Sequence, residues 1–326
     1  MPATKSLTEE MVMHTDFFFP SCGAGMIHGC RWEPEGAPVA VLQIVHGVAE
    51  HVTRYDSFAS FMASQGFLVV AADHMGHGGS IGNEGTCGFF DGGWFKAVAD
   101  VHRLLSYTRM ECPDVPYILL GHSMGSFLAR SLLIKYPKCG VDAAIISGTA
   151  WMHRGIINTG IAAATLVGKR SGMKKPSKLL NDMMFGGYNR KIEHQRTDFD
   201  WLTRDQKIVD AYIADPLCGF TITAGLARDM MTGLLYIQEP EHLEKMRKDL
   251  PVLFIAGADD PVGNYGAGVK QTASEFSKAG MENVSMRLYP LCRHEVLNEL
   301  NRDEVYLNIL EWLKRQRLYG QELDHA

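Results

Sequence analysis

The segment from Val115 to Arg130 reads VPYILLGHSMGSFLAR, and it predicts a strand, a tight turn and a helix in immediate succession. The apolar run ends at Gly121, and apolar residues recur at helical spacing directly after Gly125. Ser123 therefore stands on the turn itself. Because glycine lets the chain reverse where a Cβ would clash, the serine hydroxyl is expected to project above the strand ends. This arrangement is typical of a nucleophile elbow.

A second Gly-x-Ser-x-Gly segment, from Gly78 to Gly82, lacks that context. Five residues separate it from the nearest apolar run, and Asn83 and Glu84 follow it where a helix would be required. A short motif carries meaning only in its structural setting. We therefore interpret this segment as a loop and assign the nucleophile to Ser123.

The chain has 326 residues, of which 46% are hydrophobic, so it can form one large α/β domain with an insertion, or two domains. A net charge of −5 without a long basic run argues against a nucleic-acid partner. The densest basic cluster lies between Lys169 and Lys178. We interpret it as a solvated face, with contact to a membrane surface as the alternative.

The seven cysteines show neither metal-ligand nor disulfide spacing, which favours free thiols in a reducing compartment. The segment before His14 lacks the apolar core of a signal peptide, and no apolar run reaches the roughly 18 residues of a membrane span. These patterns predict a cytoplasmic protein without a transmembrane segment.

Apolar runs alternate with helical patterns over most of the chain, which predicts an α/β fold with a mostly parallel central sheet flanked by helices. An antiparallel hairpin is expected at its edge. The predicted strands are 14–20, 26–32, 39–45, 67–72, 115–121, 143–147, 251–256 and 284–289. The predicted helices are 55–65, 94–110, 125–136, 230–236, 268–280 and 303–317.

The alternation stops between residues 150 and 227, where helical fragments rich in Met, Phe and Tyr replace it. This segment is too apolar to be a disordered linker, so we predict a helical cap at 150–227 inserted into a core formed by 1–149 and 228–326. Met183, Met184 and Phe185 precede a predicted glycine hinge. Because thioether side chains adapt to varied shapes, the cap is expected to line an acyl tunnel.

A serine nucleophile needs a histidine base that a carboxylate orients, and in this fold they follow in the order serine, acid, histidine. The strand before Asp259 and Asp260 places a carboxylate at the sheet's C-terminal edge, and the next strand places His294 there. Adjacent side chains that leave a strand point in opposite directions, so only one aspartate can face His294. Asp260 is favoured, because the following Pro261 fixes an extended conformation.

The oxyanion of the tetrahedral intermediate needs two N–H donors. Met124, directly after the nucleophile, and Val48, after the His46-Gly47 turn, are predicted to supply them. The loops after two neighbouring strands also contain several histidines, which could in principle bind a metal. They match no ligand spacing, and we interpret them as loop structure. These histidines are His46, His51, His74 and His77.

Five ordered segments together resemble the α/β-hydrolase superfamily. Within it they are similar to the lysophospholipase and monoacylglycerol lipase-like branch, which is often catalogued with the serine aminopeptidases. The segments are His46–His51 with Arg54 and Tyr55, Asp73–Gly78, Gly121–Gly125, Asp260–Val262 and Arg293–Glu295. The resemblance implies that Glu50 and Arg54 lie near the polar head of a glycerol ester. It also implies Asp260 as the triad acid, and no cofactor.

We therefore predict a serine hydrolase that cleaves carboxylic esters with a short to medium acyl chain, such as monoacylglycerols or lysophospholipids, through an acyl-enzyme. Ser123 attacks, His294 acts as base and then as acid, and Asp260 orients it. No metal is expected, and contact with a membrane surface would be transient. The predicted substrate-binding residues are Gly47, Glu50, Arg54, His122, Met183, Met184 and Phe185.

Two alternatives remain open from the sequence. An amidase or aminopeptidase could use the same triad, with Glu50 holding the substrate amine. A non-catalytic protein could retain the fold to bind a small hydrophobic ligand, although it would need neither a triad nor oxyanion loops.

Overall fold

The computed structural model describes residues 12–81 and 86–319. Its strands form one eight-stranded sheet in the order β1-β2-β4-β3-β5-β6-β7-β8. The pairs β1–β2 and β2–β4 are antiparallel, and the remaining pairs are parallel. The strands are β1 His14–Pro20, β2 Met26–Trp32, β3 Ala40–Val45, β4 Phe67–Ala72, β5 Tyr117–His122, β6 Ala143–Ser147, β7 Val252–Gly257 and β8 Val284–Tyr289.

Helices cover both faces of this sheet. Among the described residues the α-helices are α1 Asp56–Ser64, α2 Trp94–Glu111, α3 Met124–Lys135, α4 Arg154–Ser171, α5 Lys178–Phe185, α6 Gln206–Ala214, α7 Ala224–Tyr236, α8 Pro240–Leu243, α9 Ala267–Lys278 and α10 Arg302–Arg315. None of them is long and apolar enough to cross a membrane. The predicted fold class, a mostly parallel sheet flanked by helices, is confirmed.

Two apolar layers hold the sheet, one on each face. Val41 and Leu42 are neighbours on β3, yet they belong to different layers, because successive side chains of a strand point to opposite faces. Leu128 of α3 packs in the first layer and Tyr306 of α10 in the second. The central strands are buried along their whole length, which explains why they read as continuous apolar runs.

The parallel register brings the carboxyl ends of the central strands together. Val45 pairs with Gly121, and His122 pairs with Ser147. The loops that follow β3, β5, β6, β7 and β8 consequently emerge at one edge of the sheet. In open α/β sheets this edge is where ligands bind.

Helices α4, α5 and α6 lie between β6 and β7, within the segment predicted as a cap. The structure differs from the sequence expectation at the end of this segment, because α7 begins at Ala224 rather than near Met230. Thr223 caps the helix by accepting a hydrogen bond from the Leu226 N–H at 3.0 Å. The predicted boundary at residue 227 therefore lies inside a continuous helix, and the division into core and cap stays a prediction.

The start of α3 packs against the end of β3 at very short range. A Cβ added at Gly125 would lie 2.0 Å from the Val45 carbonyl oxygen and 2.5 Å from that of His46. Neither strand nor helix can move aside without disturbing the central sheet. Gly125 is thus required because the backbones of α3 and of the end of β3 approach each other too closely for a Cβ.

We expect Gly125→Ala to lower the free energy of unfolding by about 1–3 kcal/mol, the usual range for overpacking a tight contact. Gly187→Ala is the control, because a Cβ there would meet nothing closer than 3.5 Å. Urea denaturation of both variants measures the difference. Equal stability of the two variants would contradict the assigned role of Gly125.

Candidate active site

Ser123 lies between β5 and α3 with φ 53° and ψ −122°, a backbone conformation that residues other than glycine rarely adopt. The Ser123 N–H donates to the Ser147 carbonyl oxygen at 2.9 Å, and its own carbonyl oxygen accepts from the Ser126 N–H at 2.9 Å. These bonds hold the strained turn from both sides. The side chain is partly exposed and lines a cavity of about 930 Å³.

Ser80, in the second Gly-x-Ser-x-Gly segment, lies in a different setting. It is buried in a short 3₁₀ turn, Gly78–Ser80. Its hydroxyl donates to the Asp73 carbonyl oxygen at 2.8 Å and accepts from the His28 N–H at 2.9 Å. This hydroxyl holds a loop and does not line the cavity.

The structure brings Asp260 and His294 together at the same edge of the sheet. The Asp260 Oδ2 atom lies 3.0 Å from His294 Nδ1, and both side chains are buried. Asp260 Oδ1 accepts a hydrogen bond from the Val262 N–H at 2.9 Å, which fixes the carboxylate. The neighbouring Asp259 is exposed. Because a carboxylate accepts, Nδ1 carries the proton, and Nε2 is left with a free lone pair.

His294 Nε2 is buried and has no hydrogen-bond partner among the described residues. Burial disfavours the charged imidazole, but the charge and hydrogen bond of Asp260 outweigh it and raise the pKa of His294. His294 and Ser123 line the same cavity. In the described part of the chain, no hydrogen bond joins their two side chains. Such bonds are often long before substrate binds.

Val48 and Met124 also line this cavity, beside Ser123. Met124 is the first residue of α3, so its N–H belongs to the positive end of a helix. Gly47 allows the loop after β3 to approach the nucleophile, since a Cβ there would lie 3.1 Å from the Ser123 Cβ. Val48 and Met124 therefore line the same cavity as Ser123, and their role as oxyanion donors stays a prediction.

Glu50 and Arg54 line the cavity, and the Arg54 guanidinium binds the carboxylates of both Glu50 and Glu295. Arg54 Nη1 donates to Glu50 Oε2 at 2.6 Å, and the guanidinium makes two bonds of 2.7 Å to the Glu295 carboxylate. Glu50 also accepts from the Tyr55 hydroxyl at 2.9 Å and from the Gly47 N–H. Burial would raise the pKa of Glu295, but the charge and hydrogen bonds of Arg54 lower it to about 2.

Two residues of the predicted cap complete this cluster. The Arg54 guanidinium lies over the Tyr212 ring at 4.7 Å, and the Tyr212 hydroxyl donates to the Ala49 carbonyl oxygen at 2.9 Å. Trp201 packs against His294, with ring centroids 5.2 Å apart. Sequence reasoning missed Tyr212, Trp201 and Glu295. Only Glu295 had a signal, because it directly follows the predicted base.

His122 is buried, and its Nδ1 lies 3.1 Å from the Ser147 hydroxyl. Its ring centroid is 4.7 Å from that of His294. Burial, and next the charge of His294, hold the pKa of His122 well below its usual value. A neutral His122 packs against the predicted base without competing for its proton.

The side chains of His46, His74 and His77, in the loops after β3 and β4, form hydrogen bonds to backbone groups. His46 Nε2 accepts from the His74 N–H at 3.0 Å, and His74 Nε2 lies 3.0 Å from the His46 carbonyl oxygen. Burial lowers the pKa of His74 to about 4 and that of His77 to about 3. His51 contacts Asp215 at 2.7 Å. The rings of His46, His74 and His77 pack together with centroids 4.0–6.0 Å apart, but among the described residues no three of these four histidines bring ligand atoms within 4.8 Å of one another.

The cavity extends from Ser123 towards the helices between β6 and β7. The predicted acyl-binding residues Met183, Met184 and Phe185, all on α5, line it. Three further methionines that the sequence did not single out line it too. They are Met152, Met230 and Met231.

Comparison with known proteins agrees with this geometry. A family model described as serine aminopeptidase, S33, matches residues 36–301. The monoacylglycerol lipase of Mycolicibacterium smegmatis is 30% identical over 287 residues, which cover 86% of this chain and 90% of that protein. The monoglyceride lipase of Mus musculus is 29% identical over 282 residues, which cover 83% of this chain and 84% of that protein.

Among solved structures, a highly thermostable carboxyl esterase from Bacillus coagulans in complex with glycerol superposes with a TM-score of 0.86. It shares 28% sequence identity, and the alignment covers 93% of this chain and 98% of that one. The chain thus belongs to the serine aminopeptidase family of α/β-hydrolases, on the branch that contains the monoacylglycerol lipases, and is an ester-cleaving enzyme of the serine hydrolase type.

Proposed function

We propose that this enzyme hydrolyses monoacylglycerols and similar monoesters with a short to medium acyl chain. The observation that carries the proposal is the cavity of about 930 Å³, which is lined by Ser123 and by apolar side chains of α5. The named activities of the mycobacterial and mouse relatives, and the glycerol bound to the Bacillus coagulans esterase, support a glycerol ester. Lysophospholipids are the second candidate among monoesters.

In the proposed mechanism, Ser123 Oγ attacks the ester carbonyl while His294 Nε2 takes the hydroxyl proton. The Asp260 carboxylate stabilises the imidazolium that forms. The N–H groups of Val48 and Met124 bind the oxyanion, and this electrostatic contribution is the largest single one in many such sites. His294 then donates its proton to the leaving alcohol. Water, activated by the same histidine, releases the acid from the acyl-enzyme.

The aminopeptidase alternative requires a free carboxylate to bind the substrate amine. Glu50 was the candidate, yet its oxygens accept hydrogen bonds from Arg54, Tyr55 and Gly47. A carboxylate already paired with a buried guanidinium has little capacity left for a second cation. These contacts support an ester substrate, and they support a role for Glu50 and Arg54 in positioning the oxyanion loop beside the substrate's polar head.

A lipid substrate reaches the enzyme from a membrane or a micelle. The cap helices α4 and α5 expose several apolar side chains close to the basic cluster predicted from the sequence, which supports transient contact with a membrane surface. These exposed residues are Ile156, Leu166, Leu179 and Met183. All seven cysteines are free thiols, which supports a reducing compartment such as the cytoplasm.

A hydrolysis panel tests the proposed activity. Wild-type enzyme is expected to cleave monoacylglycerols with much higher kcat/KM than aminoacyl amides, and a fluorophosphonate probe should label it with one equivalent. Ser123→Ala should lose both turnover and labelling. Preferential turnover of amides, or unlabelled wild-type enzyme, would refute the proposal.

The two neighbouring aspartates give a matched test of the triad. We expect Asp260→Asn to reduce kcat by up to about 10⁴-fold, because an amide stabilises the wrong histidine tautomer. Asp259→Asn should reduce it by about tenfold at most, since that side chain is exposed. Steady-state kinetics on one activated ester compares them.

The Asp260→Asn variant has a second readout. The Asp260 charge raises the pKa of His294, so its removal should move the acidic limb of the kcat/KM profile to lower pH. Activity near the wild-type level in Asp260→Asn, with an inactive Asp259→Asn, would reverse the assignment.

The cap is expected to set chain-length preference. Met184→Trp narrows the cavity, so it should lower turnover of a long-chain monoester relative to an acetyl ester by about tenfold or more. Leu307→Trp is the control, because Leu307 is exposed on α10, away from the proposed membrane-contact residues, and does not line the cavity. Equal effects of Met184→Trp on both esters would exclude the cap from acyl recognition.

A further inference from the structure

One face of the edge hairpin carries an unusual set of side chains. Alternate residues of β1 and β2 point to the same side, and the register pairs Asp16 with Cys30 and His14 with Trp32. Imidazole, carboxylate and thiol groups thus meet on one small surface. None of these residues lines the catalytic cavity.

The three ligand atoms lie close to one another. Cys30 Sγ is 3.5 Å from Asp16 Oδ1, and His14 Nε2 is 3.8 Å from the same oxygen. One ligand atom from each residue lies within 4.8 Å of the other two. Zinc bonds of about 2.0–2.3 Å at tetrahedral angles separate neighbouring ligands by about 3.3–3.8 Å. The side chains therefore need only small movements to bind one ion.

The imidazole of His14 is oriented by a second carboxylate. Its Nδ1 lies 3.0 Å from Asp56 Oδ1, which also accepts from the Trp32 indole N–H at 3.1 Å. A carboxylate can only accept, so Nδ1 carries the proton and Nε2 presents its lone pair towards Asp16 and Cys30. A histidine held by a carboxylate in this way is the usual arrangement at zinc sites.

Asp16 is held in place in a similar way. Its Oδ1 lies 3.0 Å from His28 Nε2, and the other ring nitrogen of His28 lies 2.8 Å from Asp73 Oδ2. The Asp16 side chain is 58% exposed, which leaves a path for an ion and room for water as a fourth ligand. Cys30 is fully buried beneath it.

We propose that His14, Asp16 and Cys30 form a binding site for a zinc-type divalent cation. One nitrogen, one oxygen and one sulfur ligand suit Zn²⁺ better than Mg²⁺ or Ca²⁺, which prefer oxygen alone. On binding, the Cys30 thiol releases its proton to solvent and the thiolate bonds the metal. The ion would fasten β1 to β2 at the sheet edge and, through Asp56, to the start of α1.

A second group of similar composition provides an internal control. His51, Asp215 and Cys218 also lie within 4.8 Å of one another. Here the imidazole and carboxylate are only 2.7 Å apart, a hydrogen-bond distance, and the other ring nitrogen of His51 faces the Thr53 hydroxyl. Among the described residues no carboxylate orients this histidine from behind, so we assign no ion to this group.

Calorimetric titration of the full chain with Zn²⁺ tests the proposal, with Co²⁺ as a spectroscopic probe. Wild-type protein should bind one tight equivalent of Zn²⁺, gain thermal stability, and show sulfur-to-cobalt charge-transfer absorption with Co²⁺. Cys30→Ser and Asp16→Asn should weaken this binding by at least about 100-fold. Asp56→Asn, which alters the support of His14 but removes no ligand, should weaken it by about 10–100-fold.

Cys218→Ser is the matched control and should bind Zn²⁺ like the wild type. Because Cys30 is buried, circular dichroism must show that its variant is folded; the exposed Asp16→Asn provides the same test without altering the core. Wild-type affinity in Asp16→Asn, or loss of binding in Cys218→Ser, would overturn the proposal. So would the absence of a tight equivalent in the wild-type protein.

Discussion

The largely buried guanidinium of Arg54 holds together three segments that line the cavity beside Ser123. It bonds Glu50 in the loop after β3 and Glu295 next to His294, and it stacks on Tyr212 of α6. Burial of three charges is unfavourable unless each is paired, and here every carboxylate oxygen has a partner. Removing one member of such a cluster typically destabilises a protein by about 3–5 kcal/mol. The loop after β3, the segment around His294 and helix α6 therefore share one electrostatic support.

Two buried histidines show how a neighbouring carboxylate decides the protonation of an imidazole. His294 has the Asp260 carboxylate at 3.0 Å, and its pKa is raised. Within the described residues the His74 ring bonds a backbone carbonyl and no carboxylate, and burial lowers its pKa to about 4. Burial thus surrounds both imidazoles, but the one beside a carboxylate gains a proton more easily than usual, whereas the other stays neutral.

The parts of the fold that follow from local pattern were predicted closely. The edge hairpin matches the expected strands residue for residue, and Phe67–Ala72 and Val284–Tyr289 match as well. The start of α7 was missed, because Thr223 and the residues after it carry no strong periodic signal and the helix gains its stability from packing on α4. Helices that depend on tertiary contacts are the least visible from sequence.

The sequence by itself determined the order of the strands and core helices and the tight turn at Ser123, because each depends on residues close together in the chain. Asp260 and His294 were predicted as acid and base from the chain order typical of the fold. Only the tertiary structure decided which charges meet. Arg54 and Glu295 are 241 residues apart, His51 and Asp215 are 164 apart, and no local pattern links either pair. The meeting of Asp16 with Cys30 depends likewise on hairpin register, which fixes side-chain neighbours across strands that periodicity alone cannot align.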